Sequence, residues 1–233
     1  MRKKSFTAVV LAGGSGKRMG GKTKKQYLLL NKKPLLYYSL KTFQESPVDE
    51  IVLVVPKGDV SYCEKEIVLK YGFDKVTSII EGGEERYDSV YAALSETDTD
   101  YILIHDGARA LITEEVIKRC MEDVVTYGSA VAGVPSKDTV KIVNDFGTVS
   151  ETPDRSKVWI VQTPQCFETD AIWDAYDRMM DSLPYEERKI ITDDAMVMET
   201  FSEMPVHMTL GDYTNIKITT PDDMILAEDI LKK

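Results

Sequence analysis

The chain has 233 residues, 43% of them hydrophobic and 29% charged, with a formal net charge of −10. That length suits one α/β domain over 1–233 with its own core, and the acidic balance argues against general nucleic-acid affinity. No apolar run approaches the ~20 residues that span a bilayer. The three cysteines, Cys63, Cys120 and Cys166, are far apart and lack metal or redox spacing, so reduced core thiols in a cytoplasmic protein are expected.

In chain order, "FTAVVLA" (6–12) reads as the first strand: short, β-branched and apolar. The basic "MRKK" before it imitates a signal peptide, but the apolar part is too short and runs straight into a glycine loop. Residues 1–44 carry eleven Lys or Arg and no acid, so the other 189 residues sum to −21. A basic segment on an acidic protein points to a local anion site. Lys3, Lys4, Lys32 and Lys33 read as merely solvated.

The loop "AGGSGKRMGGKTKK" (12–25) admits three phosphate-binding patterns. A dinucleotide fingerprint needs Gly-x-Gly-x-x-Gly; Gly14 and Gly16 fit, but Met19 takes the third place. A P-loop is matched by Gly16 and Gly21-Lys22-Thr23, and "YILIHD" (101–106) resembles the apolar strand that ends in a metal-holding Asp. A P-loop opens into a sustained helix, whereas "KKQYLLLNKKP" follows here, with contiguous apolar residues and breaks at Asn31 and Pro34. The third pattern takes 12–25 as one unit. Ala12, Gly13 and Gly14 let the backbone approach a ligand. Ser15 and Gly16 tighten the turn into a nest of N–H groups. Arg18 adds a planar fork and Lys25 a point charge.

Beyond the loop, helix-like and strand-like runs alternate. "EIVLVVP" (50–56), "DYILIHD" (100–106) and "SAVAGVP" (129–135) read as strands buried on both faces, as in a parallel sheet. "KPLLYYSLKTFQES" (33–46), "SYCEKEIVLKYG" (61–72), "YDSVYAALSE" (87–96) and "TEEVIKRCMEDVVTYG" (113–128) carry helical spacing, with Gly72 and Gly128 as left-handed caps. The pattern predicts a Rossmann-like three-layer α/β sandwich with a mostly parallel central sheet, whose ligands bind at the carboxyl ends of the strands.

Residues 136–157 depart from it: two short polar strands flank "NDFG" and read as a projecting β-hairpin arm. It packs either on a second subunit or on nothing. At the end, Thr220 reads as an N-cap with Pro221 at the first helical position. Met224, Ile225, Leu226, Ala227, Ile230 and Leu231 are expected to form that helix's buried face.

"LAGGSGKRMGGKTKKQYLLLNKKPLLYYSL", "EGGEERYDSV", "HDGARA", "KDTVK", "VQTPQCF", "ITDDA" and "NIKITTPDD" occur in this order over nearly the whole chain. Together they resemble the 2-C-methyl-D-erythritol 4-phosphate cytidylyltransferase family, a short branch of the sugar-nucleotide pyrophosphorylase superfamily. The resemblance implies transfer of CMP from CTP to a polyol phosphate with release of pyrophosphate, in the non-mevalonate isoprenoid pathway. It implies magnesium held mainly by the triphosphate, with Asp106 as its protein ligand. Arg18, Lys25, Arg155 and Lys217 would be the catalytic cations. The base would meet Gly82, Gly83, Glu84 and Ser89, the ribose or metal-linked groups Asp106 and Gly107. Arg109, Thr139 and Arg155 would hold the acceptor, with Thr163, Thr192 and Asp193 nearby; a turn or cap role is preferred for Thr192. His105 is expected to be a core residue. By the same resemblance the arm embraces a second subunit and completes its site. Three positions depart from the family's pattern: Lys24 and Ala110 stand where proline is usual, and Asn31 where glycine is common. A ribitol 5-phosphate branch, marked by "DSVRP" in place of "DGARA", ranks second; a P-loop NTPase and a non-catalytic nucleotide sensor rank lower.

Overall fold

Residues 3–14 and 24–232 are described by the computed structural model. The expected strands form where the apolar runs lie: β1 Phe6–Leu11, β4 Glu50–Val55, β6 Tyr101–Asp106 and β7 Ser129–Pro135. Between them come a small ribbon, β2 Leu29–Leu30 with β3 Lys33–Pro34, and β5 Val76–Glu81. After β7 come β8 Ile142–Val143, β9 Val149–Glu151, β10 Trp159–Glu168 and β11 Met208–Leu210. Helices are α1 Leu35–Glu45, α2 Val60–Cys63, α3 Arg86–Leu94, α4 Glu114–Tyr127, α5 Thr169–Ser182, α6 Tyr185–Arg188, α7 Asp194–Phe201 and α8 Pro221–Ile230.

A seven-stranded sheet runs β11-β7-β10-β6-β1-β4-β5. β10 alone is antiparallel to its neighbours, β6 and β7; the remaining pairs are parallel. Alternation along β1 divides the core. Ala8 and Val10 face α1 and α4 through Leu36, Leu40, Val116 and Cys120. Val9 faces α3, α5 and α7 through Val90, Tyr176 and Met198. The three-layer expectation is met. The three cysteines are buried, free thiols. Among the described residues no helix is long and apolar enough to cross a membrane.

Residues 24–34 form a tight turn and the β2–β3 ribbon rather than a helix, which removes the sustained helix that a P-loop requires. The motif itself, Gly16–Thr23, lies outside the described residues. Asn31 and Lys32 take φ values of 46° and 66°, a left-handed turn that glycine fits best and asparagine tolerates.

The structure corrects two expectations. The helix expected over 61–72 starts as α2 and widens into a π-helical turn over Glu64–Leu69. In α8 the Thr220 cap and Pro221 stand as expected, with Asp223 closing a capping box. The buried face shrinks to Ala227, with Met224 and Ile230 partly covered, while Ile225 (62%), Leu226 (49%) and Leu231 are exposed. The reason is its footing: α8 sits on the ribbon and the 110–111 loop through Leu30, Leu35, Ala110 and Leu111, a narrower support than a sheet face.

The arm pairs only β8 with β9. Its Asn144–Gly147 turn is closed by Gly147 N–H donating to Asn144 O at 2.9 Å, and Ile142, Val143, Phe146 and Val149 are exposed. Gly128 caps α4 at φ +80° beneath Met204, and Gly147 turns the arm at φ +75° in open space. An alanine at either site meets the left-handed penalty of about 1–2 kcal/mol. Because the arm rests on no core, urea unfolding should report that loss for Gly128→Ala and a clearly smaller one for Gly147→Ala. Equal losses would place the arm inside the cooperative unit.

Candidate active site

The carboxyl ends of β1, β5 and β6 open into one cleft of about 460 Å³, lined by Gly13, Gly14, Lys25, Gly83, Asp106 and Lys217 among others. Backbone geometry makes the room. Gly83 lies so close to α3 that a Cβ there would stand 2.3 Å from Asp88 Cβ. A Cβ on Gly107 would stand 3.1 Å from Leu11 O. Ala12 N–H still donates to Val54 O at 2.7 Å, so the sheet fixes the chain up to the first glycine.

The electrostatics centre on Asp106, the last residue of β6. Its backbone N–H donates to Thr163 Oγ1 at 3.0 Å, which locks the strand end. One carboxylate oxygen accepts from Lys217 Nζ at 2.7 Å; the other stands 3.5 Å from Arg86 Nε. Burial favours the neutral acid, but Arg86 and Lys217 outweigh it and hold the carboxyl well below the usual carboxylate range. Arg86 is gripped in turn by Asp194, with two bonds of 2.8 and 2.6 Å, and the Tyr176 hydroxyl donates to Asp194 at 2.7 Å. Burial opposes the Arg86 charge, yet Asp194 raises its pKa well above the usual value.

A second cleft of about 450 Å³ adjoins the first and is lined by Arg109, Lys137, Gln162, Tyr213 and again Lys217. Arg109 donates to Asn215 O at 2.8 Å and to Val161 O at 3.3 Å, while its buried Nε finds no partner among the described residues. Burial works against its charge and lowers its pKa. Ala110, in the proline-like position, is buried under Leu111 and Ile218, and Arg109 is aimed by these carbonyls.

Of the residues expected at a site, Ala12, Gly13, Gly14, Lys25, Gly83, Glu84, Ser89, Asp106 and Lys217 are brought together. Ser89 shapes the cleft: its hydroxyl accepts from Gly83 N–H at 3.1 Å and donates to Glu85 O at 3.3 Å. Gly107 does not line the cleft; its N–H donates to Leu11 O at 2.9 Å, tying the end of β6 to β1. Lys217 stands on an irregular segment, held where Ile218 N–H donates to Ala108 O at 2.9 Å. Ser15, Gly16 and Arg18 lie outside the described residues.

Other expected residues do not line the first cleft. Thr163 is buried beneath Asp106 and bonds His105 Nδ1 at 3.0 Å. His105 is fully buried, and burial pulls its imidazole down to about 4, so it is neutral core, as expected. The cap of α7 is Asp193, which accepts from Met196 N–H and from Gln165; Thr192 is exposed on the irregular segment before it and is not the cap. Thr139 and Arg155 are exposed on the arm, and Arg155 donates to Lys137 O at 3.3 Å, beside the second cleft. The reading of the sequence passed over Arg86 and Asp194. Arg86 stands inside the quoted "EGGEERYDSV", and its partner lies 108 residues away.

The model of the 2-C-methyl-D-erythritol 4-phosphate cytidylyltransferase (IspD) family matches residues 6–233. A relative of that name from Lachnoclostridium phytofermentans is 48% identical, over 97% of this chain and 96% of its own length. Another, from Lachnospira eligens, is 47% identical over 97% of this chain and 99% of its own length. Among solved structures, the 4-diphosphocytidyl-2C-methyl-D-erythritol synthase of Anaerococcus prevotii superposes with a TM-score of 0.85 at 31% identity, covering 99% of both chains. With the cleft, its cations and its glycine walls in place, the chain belongs to the 2-C-methyl-D-erythritol 4-phosphate cytidylyltransferase family.

Proposed function

We propose that this chain transfers CMP from CTP to 2-C-methyl-D-erythritol 4-phosphate, giving CDP-methylerythritol and pyrophosphate. The observation that carries the reading is Lys217, whose side chain lines both clefts. An α-phosphorus lying in the glycine-walled cleft and a phosphate arriving from the Arg109 cleft meet at that ammonium. The family membership of the chain supports the same reaction.

The chemistry needs charge rather than a base. The acceptor is a phosphate monoester whose second pKa is about 6, so its oxygen is already ionised at neutral pH. That oxygen forms a bond to the α-phosphorus as the bond to the β-phosphate bridge breaks, and pyrophosphate leaves with the electron pair. Lys25 and Lys217 stabilise the charge spread over the five-coordinate phosphorus. Arg18 is assigned to the same task on its sequence position, and Arg109 to holding the acceptor's phosphate. Gly83 and Glu84 form the wall against which the base is read.

A divalent ion, magnesium in the first instance, fits a shared site. Among the described residues no three His, Cys, Asp or Glu side chains cluster to hold a metal, and of the acids that line the cleft, Glu84, Glu85 and Asp106, it is Asp106 that stands at the strand end beside Lys217. That donor set suits an ion bound by one protein oxygen and the nucleotide's phosphates. When bound, it would neutralise triphosphate oxygens. Asp106's own work is to keep Lys217 in place.

The chain is read as one nucleotidyltransferase domain with an arm over 136–157. The exposed apolar residues of the arm, Ile142, Val143, Phe146 and Val149, support a homodimer in which each arm completes the partner's acceptor site. Buried free thiols support a cytoplasmic setting.

Pyrophosphate release should require CTP, a divalent cation and the polyol phosphate together. Lys25→Ala and Lys217→Ala should each lower kcat by on the order of 10²–10³. Equal turnover with ATP or GTP, or with no acceptor, would overturn the reading, and ribitol 5-phosphate belongs on the acceptor panel. For the arm, deletion of residues 139–154 should give inactive monomers by light scattering. A monomer with full activity would contradict the shared site.

A further inference from the structure

Lys25 sits in a single turn, Lys25–Tyr27, bounded by Lys24 and Leu28 and closed by Tyr27 N–H donating to Lys24 O at 3.0 Å. A turn that short cannot fix a lysine by itself. Its two ends, however, reach one atom. Lys24 Nζ and the Tyr27 hydroxyl donate to the same carboxylate oxygen, Asp59 Oδ2, at 2.7 and 2.8 Å. Asp59 is well anchored for this. It follows β4 in a turn where Asp59 N–H donates to Pro56 O at 3.0 Å, and Gly58 takes φ +83° with its N–H donating to Glu81 at 2.8 Å. Tyr27 is pinned again by Cys63 Sγ at 3.1 Å and by an edge contact with Tyr62 at 4.9 Å. Burial, then Cys63 and Asp59, push its hydroxyl far up, so it stays a donor.

We infer that Asp59 is a positioning residue: it clamps both ends of the turn that presents Lys25 to the cleft and touches no substrate itself. Lys24 has φ −60° and ψ 138°, the backbone that a proline ring presets. In this chain the ion pair with Asp59 does by charge what a ring at position 24 would do by covalent restraint. The pair is half exposed, with side-chain exposures of 40% and 18%, so its contribution is to geometry more than to global stability.

The inference rests on the cytidylyltransferase reading for its catalytic consequence but not for the clamp. Asp59→Ala and Asp59→Asn should each lower kcat/KM for CTP by on the order of tenfold, since a misplaced cation costs that much or more. The KM for the polyol phosphate and the urea midpoint should hardly change. Amides of residues 25–28 should exchange faster with deuterium. Adding Lys24→Pro to Asp59→Ala should restore most of the CTP term, which a merely structural residue would not allow. Should Asp59→Ala fail to fold, Asp59→Asn carries the same expectations. An active wild type with unchanged CTP kinetics in the Asp59 variants would overturn the inference and leave the activity standing. A wild type without CTP-dependent pyrophosphate release would sink the activity, and exchange at 25–28 would still decide the clamp: faster in the variant supports it, equal rates overturn it.

Discussion

A cleft that binds a triphosphate must gather positive charge before the anion arrives, and like charges gathered without a counter-charge repel. Asp106 relieves that conflict. Placed at the carboxyl end of β6, it holds Lys217 by a 2.7 Å ion pair and faces Arg86, while the buried Asp194 takes the rest of the Arg86 charge. The cations stay charged and oriented in a partly dry site, where an unpaired buried charge would be expensive. In the proposed reaction, phosphate oxygens entering beside Lys217 would replace one anionic partner with another, with little reorganisation.

The remaining architecture serves that arrangement. Parallel strands bring Gly13–Gly14, Gly83 and Asp106 to the same edge of the sheet, because all parallel carboxyl ends lie on one side. Glycines stand where side chains would collide with α3 or β1. The neutral, buried His105 and the Thr163 bonded to it hold the strand end. The acceptor comes already ionised, which is why a chain with two histidines suffices.

Much of this was legible in the sequence, for reasons that can be named. β1, β4, β6 and β7 are short β-branched runs buried on both faces, and α4 ends at a glycine in the left-handed region. β10 was legible only as a motif. Its Gln162 and Gln165 point inward and spend their amides on Asp212, Asp193 and Ala195, so the run has no clean apolar pattern. The partners that set side-chain aim lie far apart in the chain. Arg86 meets Asp194 across 108 residues, and Lys24 meets Asp59 across 35. Nothing local marks an arginine as half-buried against a distant acid or a lysine as paired. The start of the last helix is legible from Thr220 and Pro221, but its apolar residues overstate its buried face, because a narrow footing leaves Ile225 and Leu226 in solvent.

The most direct measurement is a crystal structure with a non-hydrolysable CTP analogue and magnesium bound. We expect the triphosphate between Gly13–Gly14 and Asp106, with Lys25 and Lys217 Nζ both within hydrogen-bond distance of phosphate oxygens. A triphosphate bound elsewhere, with Lys217 still on Asp106 and Lys25 turned to solvent, would contradict the assignment of these cations to the reacting phosphorus.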